Sequence, residues 1–176
     1  MTKVGDVLGA QGNLVEALVR YQESLEIAKR LAFADPNSAS LQRDVSVSLE
    51  KVGDTLKSQG DLEGARARYQ EGLEIATRLA AADPSSASLQ RDVSVSTEKV
   101  GDALRAQGDL GGARARYQES LEMTKRLAAA DPSDATLQRD VSVSLIKVGD
   151  VLVKQGDLVG ARARFKESMD IAKRLA

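Results

Sequence analysis

The chain has 176 residues, which suits one domain of ordinary size, and its formal net charge is −1. It contains no cysteine and no histidine, so disulfides, thiolate chemistry, zinc sites and the usual neutral-pH base are all excluded. The balanced charge offers no overall attraction for nucleic acid or an anionic membrane, and no apolar run approaches the roughly 20 residues of a membrane span.

A four-residue motif, Lys-Val-Gly-Asp, recurs through the chain at intervals of 48 residues. Its copies begin at Lys3, Lys51, Lys99 and Lys147. Residues 51–98 and 99–146 are identical at 36 of 48 positions, which excludes coincidence and indicates a repeated structural unit. We predict a single domain over residues 1–176, in which both end repeats are truncated. The predicted repeats are about 3–50, 51–98, 99–146 and 147–176.

Each full repeat is predicted to begin with a long helix, which runs in one repeat from about Ser38 to Gln59. Apolar residues follow one another along it at steps of 4, 4, 3 and 4, and this spacing is typical of a helix with one buried face. The apolar residues are Leu41, Val45, Leu49, Val52 and Leu56.

A second helix is predicted to follow after a tight turn. Gly60 stands where a helix C-terminus favours a left-handed residue, and Asp61 can cap the next helix. That helix is predicted from about Leu62 to Ala82, because Pro84 disfavours helical geometry in the residue before it. The connections are short, so successive helices are expected to be antiparallel neighbours, and no strand pattern appears.

Several of these positions resemble the tetratricopeptide repeat family, whose pattern combines apolar residues with a Gly turn, an Ala, an aromatic residue and a Pro. The matching positions are Leu49, Val52, Gly53, Leu56, Gly60, Ala65, Tyr69 and Pro84. Aliphatic residues replace the Trp and the first Tyr of the family pattern. The resemblance implies an all-α fold, a right-handed α-solenoid of antiparallel helix pairs.

The repeat is longer than the roughly 34 residues of the standard family unit. The stretches 36–53 and 69–84 are each about seven residues longer than usual, which is about two helical turns. Whole added turns keep the buried face in phase, so we expect a tetratricopeptide repeat with lengthened helices. Similar arrays of long helices are familiar from large bacterial signalling proteins.

Two kinds of motif have simple structural interpretations. Glycines inside the predicted first helices, such as Gly53 and Gly101, indicate close helix approach, since no strand and no phosphate-loop pattern accompanies them. The Arg pairs of the second helices, such as Arg66 and Arg68, are expected on a solvated face. We find no catalytic constellation, and we expect no metal and no cofactor.

The first helices are expected to line a concave groove, as the resemblance implies. Glu50 and Asp54 would repel a peptide C-terminal carboxylate there, so carboxylate clamping of the chaperone-binding kind is not expected. We expect exposed groove positions such as Asp54 and Asp102 to tolerate alanine. The candidate groove residues are Asp6, Arg43, Val47, Glu50, Asp54, Lys57, Arg91, Val95, Glu98, Asp102, Arg105, Arg139, Val143, Asp150 and Lys154.

Apolar side chains near the two truncated repeats are expected to support self-association, by end-to-end stacking or a two-fold dimer. They are Ile27, Leu31, Phe33, Ile171 and Leu175.

The resemblance implies a non-enzymatic protein–protein interaction scaffold that binds a partner segment in the groove. The alternative is a structural spacer or self-associating array, a natural fragment or a consensus design, without a small ligand. We expect a protein or peptide partner, no nucleic acid, no membrane and a cytoplasmic location, because residues 1–6 lack a signal-peptide core.

Overall fold

The computed structural model of the protein describes residues 2–175 and contains eight α-helices, with no strand in that range. The predicted all-α fold of helix pairs is therefore confirmed, and the six helices α2 to α7 have 20 or 21 residues each. The helices are α1 (Thr2–Ala10), α2 (Leu14–Ala34), α3 (Ala39–Ser58), α4 (Leu62–Ala82), α5 (Ala87–Ala106), α6 (Leu110–Ala130), α7 (Ala135–Lys154) and α8 (Leu158–Leu175).

The helices form two compact units, residues 1–83 with α1 to α4 and residues 84–176 with α5 to α8. Within each unit every helix packs against the next one along the chain. Short connections make these neighbours antiparallel. The single domain over 1–176 stays a prediction.

The turn between the two helices of a pair forms at a glycine, as the sequence predicts. Gly60 has a φ of +87°, a left-handed conformation that glycine adopts without steric cost. The amide of Asp61 donates to the carbonyl of Leu56 at 2.9 Å, which satisfies a free carbonyl at the end of α3. The Asp61 carboxylate then accepts from the amide of Gly64 at 2.9 Å and caps α4.

Each unit has its own apolar core, and the predicted stripe residues lie in it. In the first unit Val45, Leu49 and Val52 are at most 4% exposed and pack with residues of α2. In the second unit the equivalent stripe of α7 packs with residues of α6 and α8. Tyr69, predicted to face inward, is 0% exposed.

A glycine inside each first helix permits the close approach of an aromatic ring, as predicted. A Cβ atom added at Gly101 would lie 2.7 Å from Cε1 of Tyr117, and one at Gly53 would lie 2.6 Å from Cε1 of Tyr69. These distances are shorter than carbon–carbon contact, so only glycine fits here. The ring therefore crosses over the first helix at this point, and its hydroxyl donates to the aspartate that directly follows the glycine.

Candidate functional site

A carboxylate on α5 joins three helices of the second unit. Asp102 accepts a hydrogen bond from the Tyr117 hydroxyl of α6 at 2.6 Å. It also pairs with the ammonium of Lys147 on α7, whose Nζ lies 2.7 Å from Oδ1. The same Nζ lies 5.3 Å from the Tyr117 ring centroid, within cation–π range. We call such an arrangement the Tyr–Asp–Lys triad; it connects one helix pair to the first helix of the next.

The first unit contains the same triad on α1, α2 and α3. Asp6 accepts from the Tyr21 hydroxyl at 2.7 Å and pairs with Lys51 Nζ at 2.8 Å. The hydrogen bond from Lys51, reinforced by that from Tyr21, lowers the pKa of Asp6 below its usual value. Burial, followed by the bond to Asp6, raises the pKa of Tyr21 to about 12, so the phenol stays a donor at neutral pH.

The second and last repeats differ in the aromatic residue beside the aspartate, which is tyrosine in one and phenylalanine in the other. Tyr69 donates to Asp54 at 2.7 Å, as its counterparts do. In the last repeat Phe165 replaces the tyrosine, and Asp150 makes no hydrogen bond or ion pair with any residue between 2 and 175. The last repeat thus keeps the carboxylate of the triad and lacks the phenol.

Two further polar side chains of α5, Arg91 and Glu98, make contacts with α7. The Arg91 guanidinium pairs with Asp140 through two hydrogen bonds, and the second, from Nη2, is 3.0 Å long. Glu98 accepts from the hydroxyls of Ser144 and Ser120, the latter at 3.0 Å. Burial raises the pKa of Glu98, and the serine hydroxyls and Lys147 offset this only in part.

The family model described as tetratricopeptide repeat matches residues 45–84 and 96–134. These two stretches of the chain are therefore similar to tetratricopeptide repeats. The lengthened tetratricopeptide unit predicted from the sequence is confirmed by these matches together with helices of 20 or 21 residues.

Several solved structures are similar to this chain at low identity. The apo form of RapI is 14% identical with a TM-score of 0.72, over 98% of this chain and 41% of that one. A DHF58 filament is 17% identical with a TM-score of 0.48, over 99% of this chain and 88% of that one. BtubC from P. vanneervenii is 16% identical with a TM-score of 0.35, over 92% of each chain.

The chain spans about two fifths of the RapI chain. No sequence among the curated proteins is significantly similar to it. The likeness to RapI shows the fold of the tetratricopeptide repeats and nothing of their activity.

Among the predicted groove residues, five make contacts that connect helices: Asp6, Asp54, Arg91, Glu98 and Asp102. Asp102 is only 13% exposed and bonded on two sides, so the expectation that it is an exposed position is wrong. Glu98 likewise lies between α5, α6 and α7. These carboxylates were placed correctly on the first helices, but they face the neighbouring helix.

The rest of the predicted groove is more open. Val47 and Val143 are 47% and 42% exposed. Four cations, Arg43, Arg105, Arg139 and Lys154, are also exposed. Half-buried positions are Glu50, Asp54, Lys57, Val95 and Asp150.

The predicted self-association residues also include both exposed and buried side chains. Ile27, Leu31 and Phe33 of α2 are 37%, 51% and 85% exposed, and Leu175 is 38% exposed. Ile171 is 5% exposed and belongs to the core of the second unit, so its predicted exposure is wrong. α7 extends far enough to bring Leu137 into the same core as Ile171.

Sequence reasoning missed the triad partners Tyr21, Tyr117, Lys51 and Lys147. The signal was present, because a tyrosine follows the aspartate by 15 residues and a lysine follows it by 45 in both cases. The Arg pairs of the second helices behave as predicted, since Arg116 forms a solvent-facing pair with Glu119 at 2.9 Å.

No helix between residues 2 and 175 is both long enough and apolar enough to span a membrane. The same residues contain no grouping of acidic side chains suited to hold a metal ion.

Proposed function

We propose that this chain is a non-enzymatic protein-interaction scaffold, and that a partner segment lies on the exposed surface of its first helices. The observation that supports this most directly is the exposure of Val143 and Ile146, each 42% exposed and one helical turn apart on α7. Val47, the counterpart of Val143 in the first unit, is 47% exposed. Adjacent exposed apolar side chains on one helix face are typical of a contact surface.

The charge that a partner meets on the second unit is positive. Arg105 and Arg139 are exposed, whereas Asp102 and Asp140 are only 13% and 19% exposed and already paired. A bound segment on α5 and α7 would therefore contact valine, isoleucine and guanidinium groups. We infer that the partner segment carries apolar and acidic side chains, since complementary charge favours encounter and register.

The test uses random peptides displayed on phage, selected against the whole chain. Peptides rich in acidic and apolar residues should emerge, and Val143→Asp or Arg139→Glu should weaken their binding about tenfold or more. Arg126→Glu, an equal charge reversal at an exposed position of α6, is the control and should leave binding unchanged. Peptides that bind Val143→Asp as well as the parent chain, or that lose binding to Arg126→Glu, contradict the proposal.

A structural role is the second candidate, as a spacer or self-associating array without a small ligand. Its support is the exposure of apolar residues on α1 and α8, which is a different surface from that of Val143 and Arg139.

A further inference from the structure

α1 and α7 are equivalent helices whose apolar faces differ in exposure. Val4 and Val7 of α1 are 53% and 57% exposed, whereas their counterparts 144 residues later, Val148 and Val151, are 1% and 0% exposed. α2 packs on α1 as α8 packs on α7, but α7 also receives α6 on its other side. The face of α1 that carries Val4 and Val7 is therefore shaped to receive a helix like α6.

α8 has the complementary face. Met169 is 49% exposed, whereas its counterpart Leu121 on α6 is 2% exposed, because α7 packs on α6. Leu158 is likewise 65% exposed, and its counterpart Leu110 is half-buried. An open apolar cavity of about 460 Å³ lies on this face. Its lining is Val153, Leu158, Ala161, Arg162, Phe165, Lys166 and Met169.

We propose that α1 of a second copy of this chain docks on α8, head to tail, with Lys3 of one copy paired to Asp150 of the other. The template is the junction between successive helix pairs within the chain. Where α7 packs on α6, Lys147 pairs with Asp102 of α5, and where α3 packs on α2, Lys51 pairs with Asp6 of α1. Lys3 is the first lysine and Asp150 the last aspartate of these two rows.

Complementary charges favour α1 of a second copy as the helix that docks on α8. Lys3 is exposed, and Asp150 forms no ion pair with the residues that the structure describes. Phe165 supplies the ring at the position of Tyr117 but donates no hydrogen bond, so Asp150 depends on the incoming lysine alone. Docking of the second copy therefore gives Asp150 an ion pair with Lys3, as Asp102 has with Lys147.

A second ion pair is repeated in the same register. Lys29 of α2 pairs with Glu71 of α4 at 2.8 Å, and Lys125 of α6 pairs with Glu167 of α8. The next lysine of this row is Lys173 on α8, which is exposed. The register places it opposite Glu23 of the second copy, the counterpart of Glu71 and Glu167, whose side chain is 43% exposed.

A hydrogen bond at the turn supports the same register. The Gln155 side chain, after α7, donates to the carbonyl of Leu110 at 3.3 Å and accepts from Arg114 at 3.4 Å. The equivalent groups across the new junction are Gln11 of one copy and Leu158 and Arg162 of the other. Because the two surfaces differ, the contact is heterologous and repeats from copy to copy without closing on itself as a pair.

The experiment is sedimentation of the whole chain over a concentration range up to the high micromolar, at low salt. The parent chain should form species that keep growing with concentration. Lys3→Glu and Asp150→Lys should each raise the apparent dissociation constant about tenfold or more, because each places like charges at the junction. Mixing the two variants should restore assembly, since every junction in the mixture can then join opposite charges.

Arg126→Glu is the matched control and should assemble as the parent chain does; circular dichroism of each variant checks that its helices are intact. A parent chain that stays monomeric, a mass that stops at a dimer, or a mixture that fails to recover assembly would each overturn the proposal. The outcome for Lys3→Glu is independent of peptide binding, because Lys3 lies on α1 and the Val143–Ile146 surface lies on α7.

Discussion

Asp6 and Asp102 stand at the same position of their repeats and make the same two bonds, yet one side chain is 47% exposed and the other 13%. Their neighbours on the helix face explain the difference. Thr2 and Gly9 flank Asp6, whereas the longer Glu98 and Arg105 occupy these places around Asp102. The same triad should therefore contribute less to the free energy of unfolding in the first unit than in the second, because water screens the exposed ion pair of Asp6.

The largest expected effect comes from removing the carboxylate in each unit. Asp102→Ala leaves the half-buried ammonium of Lys147 and the buried side chain of Tyr117 without their partner, and should lower the free energy of unfolding by about 3 kcal/mol. Asp6→Ala should lower it by at most about 1 kcal/mol, because that pair is solvated. Urea denaturation monitored by circular dichroism measures both. Equal losses at the two sites would refute the comparison.

The next effect concerns the glycine beneath each aromatic ring. Gly101→Ala places a methyl group 2.7 Å from a ring carbon of Tyr117, and overpacking of this kind should destabilise by about 2 kcal/mol. Gly9→Ala is the matched control, since an added Cβ meets nothing within 4 Å there. That variant should be neutral or gain up to about 1 kcal/mol from the better helix propensity of alanine. If both variants lose stability equally, helix propensity and not ring packing governs these sites.

The fold could be predicted almost completely from the sequence, because helix period, turn glycines and prolines are local signals. Gly60 and Pro84 mark where α3 and α4 end, and the apolar stripe marks the buried face. The residues that pair with Asp102 and Glu98 could not be predicted from such local signals. Periodicity placed Asp102 and Glu98 on the correct helix, but it does not show how closely α6 and α7 approach them.

The same limit explains Ile171. It was assigned to an outward face from its position on the second helix, whereas the long α7 brings Leu137 into its core. Burial there depends on the length of the neighbouring helix, which is a tertiary property.

A smaller, pH-dependent effect separates the two kinds of carboxylate. The folded pKa of Glu98 is raised by burial, so its contribution to stability is complete below its unfolded pKa and falls as pH rises through the folded value. Glu98→Gln should therefore gain stability relative to the parent chain as pH rises from about 4 to 7.

Asp6 should behave in the opposite sense. Its folded pKa is lowered by Lys51, so its contribution is present above its unfolded pKa and is lost as pH falls through the folded value. Asp6→Asn should lose stability relative to the parent as pH rises from about 2 to 5. Urea midpoints across pH for the parent and both variants give the differences, and slopes of the same sign would contradict this account.

The smallest effect should appear where the two units are equally exposed. Arg20–Glu23 and Arg116–Glu119 are solvent-facing pairs within single helices, with side chains 39% to 51% exposed. Arg20→Ala and Arg116→Ala should each change the free energy of unfolding by less than about 0.5 kcal/mol. A loss above about 1 kcal/mol in the second unit alone would mean that the units differ for a reason other than exposure of the ion pair.

The central claim is that the aspartate of one repeat stabilises the fold by pairing with the lysine of the next. A double-mutant cycle tests it most directly, with Asp102→Ala and Lys147→Ala made singly and together and stability measured by urea denaturation. We predict a favourable coupling of about 1.5 kcal/mol or more between Asp102 and Lys147, and at most about 0.5 kcal/mol for the same cycle at Asp6 and Lys51. A coupling between Asp102 and Lys147 that cannot be distinguished from zero would contradict the claim.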